Sequence, residues 1–119
     1  MEHKQLVGKF GETLAKNYLI KRGYSLIDAN IKISYLEIDI IAKYQDLLIF
    51  VEVKTRTSLT FGEADQAMTC QKTKNFKKAV EAYIISKNIN SDRIRADLIS
   101  IDINKDKKTA KIKHYQDIF

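Results

Sequence analysis

Several residue types are scarce in this sequence, and each scarcity excludes something. The chain has a single cysteine, Cys70, so no disulfide bond can form within it, which suits a reducing compartment. No apolar run approaches the length of about 18 residues that a membrane-spanning helix requires. The opening residues, MEHKQLVGKF, lack the apolar core of a signal peptide. The sequence therefore predicts a cytoplasmic protein without a membrane segment.

Acidic residues are outnumbered by basic ones. The 119 residues include 21 lysines and arginines against 15 aspartates and glutamates, a net charge of +6. The apolar fraction of 45% and the charged fraction of 30% are ordinary for a globular protein, and the length predicts one domain over residues 1–119. The positive charge favours a polyanionic partner such as nucleic acid, while a basic surface that serves solubility alone is the other interpretation.

Apolar periodicity predicts two helices and five strands in the order α-β-β-β-α-β-β. The first helix is expected over residues 2–22, and the second begins within residues 63–69 and reaches residue 87. Residues 31–35 are a connection of uncertain structure, and a loop is expected over residues 56–62. The strands are expected at residues 24–30, 36–42, 47–55, 93–103 and 109–115. This order predicts an α/β domain with a mixed five-stranded sheet flanked by helices.

One strand, residues 47–55 (LLIFVEVKT), carries charges inside an apolar run. Glu52 and Lys54 are two residues apart, so they share one face of the strand, while Val51 and Val53 take the other. An ionised carboxylate is costly to remove from water unless it is paired or bound to a metal. The two charges therefore indicate either an ordinary ion pair or a functional site.

The preceding strand, LEIDIIA, supplies a second carboxylate. Glu37 and Asp39 are expected on one face of it, and Ile38 and Ile40 on the other. The turn at residues 44–46 predicts an antiparallel hairpin, which brings Asp39 close to Glu52.

Two neighbouring buried carboxylates repel each other unless a cation lies between them. Mg²⁺ commonly binds one or two carboxylates, several waters and substrate phosphate oxygens. Lys54 on the same face could orient the attacking water or stabilise negative charge. Two interpretations stay open, a metal site for phosphodiester chemistry and a structural Glu52–Lys54 pair.

The two strand motifs, EIDIIA and FVEVKTR, with a helix carrying Glu12 before them, resemble the PD-(D/E)xK nuclease superfamily. More closely, the chain resembles the small bacterial YraN family, whose fold is similar to that of archaeal Holliday-junction resolvases. The proline that names the superfamily is absent, and Glu37-Ile38 precedes Asp39 in its place. Further matches are Gly8-x-x-Gly11-Glu12-x-x-Ala15, Gly23-Tyr24, Asn30, Phe61-Gly62, Lys72, Ala79 and Arg95-x-Asp97.

The resemblance implies a single restriction-endonuclease-like domain that cleaves DNA with Mg²⁺ or Mn²⁺, including branched or single-stranded DNA. It implies that Asp39 and Glu52 bind the metal with the carbonyl of Val53, that Lys54 is the catalytic lysine, and that Glu12 is an outer ligand or holds water. A homodimer is expected by analogy only. The alternative is a nucleic-acid-binding module that keeps the fold without catalysis.

Other basic residues are candidate contacts to nucleic acid. The lysines that crowd the start of the second helix form either a phosphate-facing patch or a solvated face, and the two arginines bind phosphate or pair with Asp97. His114 lacks ligand spacing and is assigned no role. The candidates are Arg56, Lys72, Lys74, Lys77, Lys78 and Arg95.

Overall fold

In the part of the chain that the structure describes, a five-stranded sheet carries one α-helix on each face. The structure is a computed structural model that describes residues 3–57 and 70–119. The strands lie in the order β1-β2-β3-β4-β5, with β3 and β4 parallel and the other neighbours antiparallel. The predicted α/β class, mixed sheet and element order are confirmed. The elements are α1 (His3–Lys21), β1 (Ser25–Ile33), β2 (Leu36–Tyr44), β3 (Leu47–Thr57), α2 (Cys70–Lys87), β4 (Ile94–Asn104) and β5 (Thr109–Tyr115).

The central strand β3 is apolar on both faces because both are covered. Ile49 and Val51 pack with Ala15 and Leu19 of α1, whereas Phe50 packs with the residues of α2. A parallel pair of strands needs a crossover, and α2 lies in the connection between β3 and β4. Within the described residues, neither helix is long and apolar enough to cross a membrane.

Three strands are longer than the sequence predicts. β2 reaches Tyr44, which was expected in the turn, because Tyr44 pairs with Leu47. β1 continues through the expected connection, because Ile31 pairs with Ile38 and Ile33 with Leu36. β3 continues past Thr55 to Thr57, because β4 pairs with it over that whole length. Sheet pairing therefore overrides the local polarity from which a connection and a loop were expected. The predicted start of the second helix, within residues 63–69, lies outside the described residues.

Candidate functional site

Asp39 lies where the pairing of β2 with β3 stops. The last backbone pair away from the turn is Ile40 with Val51, and beyond it the Asp39 Oδ2 atom accepts a hydrogen bond of 2.8 Å from the Val53 amide. A side chain thus replaces the backbone acceptor at this position. The prediction that Ile38 and Ile40 share a face is wrong. Ile38 packs on the α2 side and Ile40 on the α1 side, since the regular alternation is interrupted at Asp39.

Asp39 and Glu52 lie beside each other as a pair of carboxyl groups, and each influences the pKa of the other. Burial and then the charge of Glu52 raise the pKa of Asp39 to about 7. Burial also raises the pKa of Glu52, against the opposing charge of Lys54. Because ionising both carboxyl groups places two like charges side by side, the pair retains a proton to higher pH than an isolated carboxyl group does.

Two lysines approach this pair from the α2 side of the sheet. The Nζ atom of Lys54 lies 3.4 Å from Glu52 Oε1, and the two side chains are only 19% and 15% exposed. Lys72, in the first turn of α2, lies beside Lys54, and this contact, followed by burial, lowers the pKa of Lys72. The ammonium groups form a local excess of positive charge next to Glu52.

Glu12 reaches the neighbourhood of Asp39 from α1. The helix lies so close to β3 that a Cβ atom on Gly11 would collide with the Thr55 side chain, which explains the glycine there. Burial, followed by the charge of Asp39, raises the pKa of Glu12, and a hydrogen bond from Asn30 opposes the shift. The structure thus places Glu12 near Asp39, Asp39 beside Glu52, and Lys54 beside Glu52.

The donor atoms suit a hard cation bound through few protein ligands. Among the residues that the structure describes, no three His, Cys, Asp or Glu side chains are arranged to hold a metal ion. The Asp39–Glu52 pair nevertheless matches the way Mg²⁺ binds one or two carboxylates and keeps several waters. The carbonyl of Val53 faces the same side as its amide, toward Asp39. The residues thus fit a hard cation whose coordination is completed by water, and they do not surround it with protein ligands alone.

An open pocket of about 150 Å³ adjoins Glu52 on the α2 side of the sheet. It is bounded by the β1–β2 turn, by the strand β3 and by the first turns of α2. Its polar lining combines carboxylate, ammonium and amide groups, which suits an anionic ligand that binds together with a cation. The lining residues are Tyr35, Leu36, Glu37, Glu52, Lys72, Asn75 and Phe76.

The other lysines predicted to bind nucleic acid do not join this pocket. Lys74 and Lys78 are exposed and, at 3.6 residues per turn, lie on the side of α2 opposite the buried Phe76. Lys77 lies 6.0 Å from the centre of the Phe119 ring. Of the four, Lys72 alone reaches the carboxylates. Arg56 lies further along β3, on the same face as Lys54 by the alternation of the strand.

Arg95 belongs to a different group of side chains, on the α1 face of the sheet. Its Nε and Nη2 atoms donate to the two oxygens of Asp97, both at 2.9 Å, and Nη2 also donates to Tyr24 at 2.7 Å. Of the two sequence interpretations for Arg95, the pairing with Asp97 is the one found. Asp97 is fully buried.

His114, which sequence reasoning left without a role, completes this group. Its Nε2 atom lies 2.7 Å from Asp97 Oδ2, and its Nδ1 atom lies 3.3 Å from the Tyr18 hydroxyl. The backbone amide of Asp117 donates to Asp97 Oδ1 at 3.0 Å. Burial raises the pKa of Asp97, but the hydrogen bonds from His114 and Arg95 outweigh it, and the net shift is downward. The register of the β4–β5 hairpin, which pairs His114 with Ile99 on the face of Asp97, is the signal that could have revealed this contact.

Comparison with known proteins gives a consistent result. The family model described as "Uncharacterised protein family UPF0102" matches residues 11–101. A UPF0102 protein of Caldanaerobacter subterraneus is 39% identical over 118 residues, covering 98% of this chain and 97% of the relative. One of Flavobacterium psychrophilum is 42% identical over 118 residues, covering 99% and 96%. The resemblance to the YraN family is confirmed, since that family carries this designation. The chain belongs to the UPF0102 family.

Proposed function

We propose that this protein is a metal-dependent nuclease that hydrolyses phosphodiester bonds in DNA. The observation that carries the proposal is the Asp39–Glu52 pair, two neighbouring buried carboxyl groups with raised pKa values whose repulsion a divalent cation would relieve. Perturbed carboxyl groups in a cleft are typical of functional sites.

The roles of the residues follow from where they lie. Asp39 and Glu52 would hold the cation, with the Val53 carbonyl as a further oxygen donor, and binding would displace protons from the two carboxyl groups. A bound Mg²⁺ or Mn²⁺ ion supplies an activated water and neutralises charge on the scissile phosphate. Lys54, beside Glu52, stabilises the negative charge that develops on the phosphate. Lys72 provides a second cation for the same group, and Glu12 positions Asp39 or water from the α1 side.

A nucleic-acid-binding module without catalysis is the alternative function. It would use the lysines, because binding to the DNA backbone depends on positive charge. Two carboxyl groups beside those lysines would not help such a module, because negative charge near the lysines weakens phosphate binding. The acidic pair therefore favours the nuclease.

A cleavage assay separates the two functions. Wild-type protein is incubated with Mg²⁺ or Mn²⁺ and with linear, nicked and four-way DNA, beside Asp39→Asn, Glu52→Gln and Lys54→Ala. Asparagine retains an acceptor for the Val53 amide, so the strand contact survives while the charge is lost. We expect each variant to cleave at least about 10² times more slowly, the loss seen when a group that stabilises developing charge is removed.

The control is Lys78→Ala, which removes a positive charge from the outer side of α2 and should cleave at nearly the wild-type rate. Equal activity in wild type and all three site variants would identify a contaminating nuclease. DNA binding without cleavage under either metal would favour the binding module instead.

A further inference from the structure

Tyr35 stands at the mouth of the pocket beside the acidic pair. It lies in the two-residue turn between β1 and β2 and is 76% exposed, yet it contributes to the pocket lining next to Leu36 and Glu37. The turn is held in place, because Ile33 pairs with Leu36 directly across it. Ser34, in the turn, has a φ of 57°, a conformation uncommon outside glycine and asparagine. A fixed backbone thus presents an aromatic ring to solvent at the rim.

The pocket is open and of modest size. Its volume of about 150 Å³ leaves room for several water molecules or a phosphate group. A nucleotide whose phosphate lies beside Lys72 can extend its base toward the exposed Tyr35 at the rim.

The charges around the pocket indicate where that phosphate lies. Lys72 lines the pocket beside Glu52, and Lys54 adjoins both. Asn75 presents an amide whose Oδ1 atom accepts a hydrogen bond of 3.0 Å from Gln71 Nε2, so its amino group is oriented away from Gln71. Tyr35 comes from the β1–β2 turn, whereas Lys72 and Asn75 come from α2. An exposed aromatic ring and basic and amide groups thus line one pocket, which suits a nucleotide with its phosphate beside Lys72 and its base beside Tyr35.

We propose that Tyr35 is a stacking platform for an unpaired nucleobase, so that the site selects a single-stranded or locally unpaired nucleotide next to the phosphate that it binds. The inference rests on the proposed function for the presence of the phosphate. Bases inside a duplex have both faces stacked on their neighbours and cannot offer one to a side chain. An unpaired base can, and every base has such a face, which makes this selection sensitive to strand pairing and tolerant of sequence.

The absence of tryptophan from the chain provides a direct probe. Tyr35→Trp places the only indole of the protein at the rim, where stacking with a base quenches its fluorescence. The variant is titrated with a 12-nucleotide single-stranded DNA and with a blunt duplex of the same sequence, in Ca²⁺ to limit cleavage. Binding is followed independently by the anisotropy of a label on the DNA. We expect quenching by the single strand at the concentration where anisotropy reports binding, and none by the duplex.

Affinity measurements on further variants test the same contact without a reporter. Tyr35→Ala should bind the single strand about tenfold more weakly, within the range found when a stacked aromatic is removed, and should bind the duplex as wild type does. Tyr35→Phe keeps the ring without the hydroxyl and should bind like wild type. Phe10→Ala removes another exposed ring, on α1 and 53% exposed, and should change neither affinity. Because Tyr35 is exposed, none of its substitutions removes core packing.

The outcomes separate this inference from the proposed function. Cleavage that depends on Asp39 while Tyr35→Ala binds and cuts single strands like wild type would overturn the stacking role and leave the nuclease intact. Unchanged indole fluorescence at saturating single-stranded DNA would overturn it as well. Selective quenching with no cleavage under any metal would support the platform and count against catalysis. No binding to either DNA would overturn both.

Discussion

Two carboxylates lie in neighbouring parts of the same sheet and differ in what surrounds them. Asp97, on the α1 face, accepts hydrogen bonds from Arg95, His114 and the backbone amide of Asp117, and its pKa is lowered despite full burial. Asp39 faces a second carboxyl group, and its pKa is raised to about 7. The first environment stabilises the ionised form and the second destabilises it.

The difference indicates a structural role for Asp97 and supports the proposed metal-binding role of Asp39. The hydrogen bonds to Asp97 connect β4 with β5, with the residues that follow β5 and, through His114, with Tyr18 of α1. Nothing in that arrangement calls for a ligand. The Asp39–Glu52 pair costs the folded state free energy that a cation would recover, and unrelieved repulsion of this kind is retained where a site needs it.

The largest effect in this comparison is expected from Asp97→Ala. The substitution leaves the Arg95 guanidinium and the His114 ring largely buried without their carboxylate. Removing one partner of a buried charge pair lowers the free energy of unfolding by about 3–5 kcal/mol. Urea unfolding monitored by circular dichroism measures it. A loss below about 1 kcal/mol, the stabilisation typical of a surface ion pair, would show that the contacts of Asp97 contribute little to the free energy of unfolding.

The pH dependence of stability should differ in sign between the two carboxylates. The folded-state pKa of Asp39 is raised. Its contribution to the stability of the folded state is therefore present below the unfolded pKa near 3.9 and is lost as pH rises through about 7. The folded-state pKa of Asp97 is lowered, so its contribution is present above that unfolded value and is lost as pH falls through the folded one.

Asp39→Asn isolates the first of these effects. Without metal, the variant should gain stability relative to wild type between pH 5 and 8, by up to about 4 kcal/mol for a shift of three pKa units. Urea unfolding of both proteins in EDTA across this range gives the difference. A difference independent of pH would mean that the carboxyl pair does not retain a proton in this range. Asp28→Asn is the control for the loss of a carboxylate at an exposed position of β1.

A smaller effect should distinguish two lysines of α2. Lys72→Ala removes an ammonium group beside Lys54 and should reduce cleavage about tenfold, since the loss of one charge-assisted contact is worth about 1.4 kcal/mol. Lys74→Ala, two residues away on the outer side of the helix, should change the rate less than threefold. Cleavage rates of both variants at two salt concentrations check whether Lys72 acts at a specific place. Equal losses in both variants would indicate a diffuse basic surface, with no specific place for Lys72.

Much of this arrangement could be predicted from the sequence, because it depends on local patterns. The hairpin predicted from the turn at residues 44–46 places Asp39 near Glu52. The alternation of side chains along the strand places Lys54 on the same face as Glu52. Which lysine of α2 faces the carboxylates depends on which side of that helix packs on the sheet. The predicted start of the helix falls outside the described residues. The side-chain contact of Asp39 with the Val53 amide breaks the alternation, so the faces of Ile38 and Ile40 could not be read from a period of two.

Only part of the group around Asp97 could be predicted in the same way. Arg95 lies two residues from Asp97, and their pairing was one of the two interpretations of that arginine. The contact of Tyr18 with His114 joins residues far apart in the sequence and depends on how α1 lies across the sheet. The turn at Ser34 is a similar case, since serine has no strong preference for a positive φ and the pairing of β1 with β2 imposes it.

Thermal unfolding with and without Mn²⁺ tests the central claim most directly, because it requires no substrate. A cation that binds only the folded state stabilises it by about 2.7 kcal/mol at a hundred times its Kd. Wild-type protein should therefore unfold at a higher temperature with Mn²⁺, Asp39→Asn should not respond, and Asp46→Asn, whose side chain is 88% exposed, should respond like wild type. A wild-type unfolding temperature that Mn²⁺ leaves unchanged, or an equal rise in Asp39→Asn, would contradict the metal site.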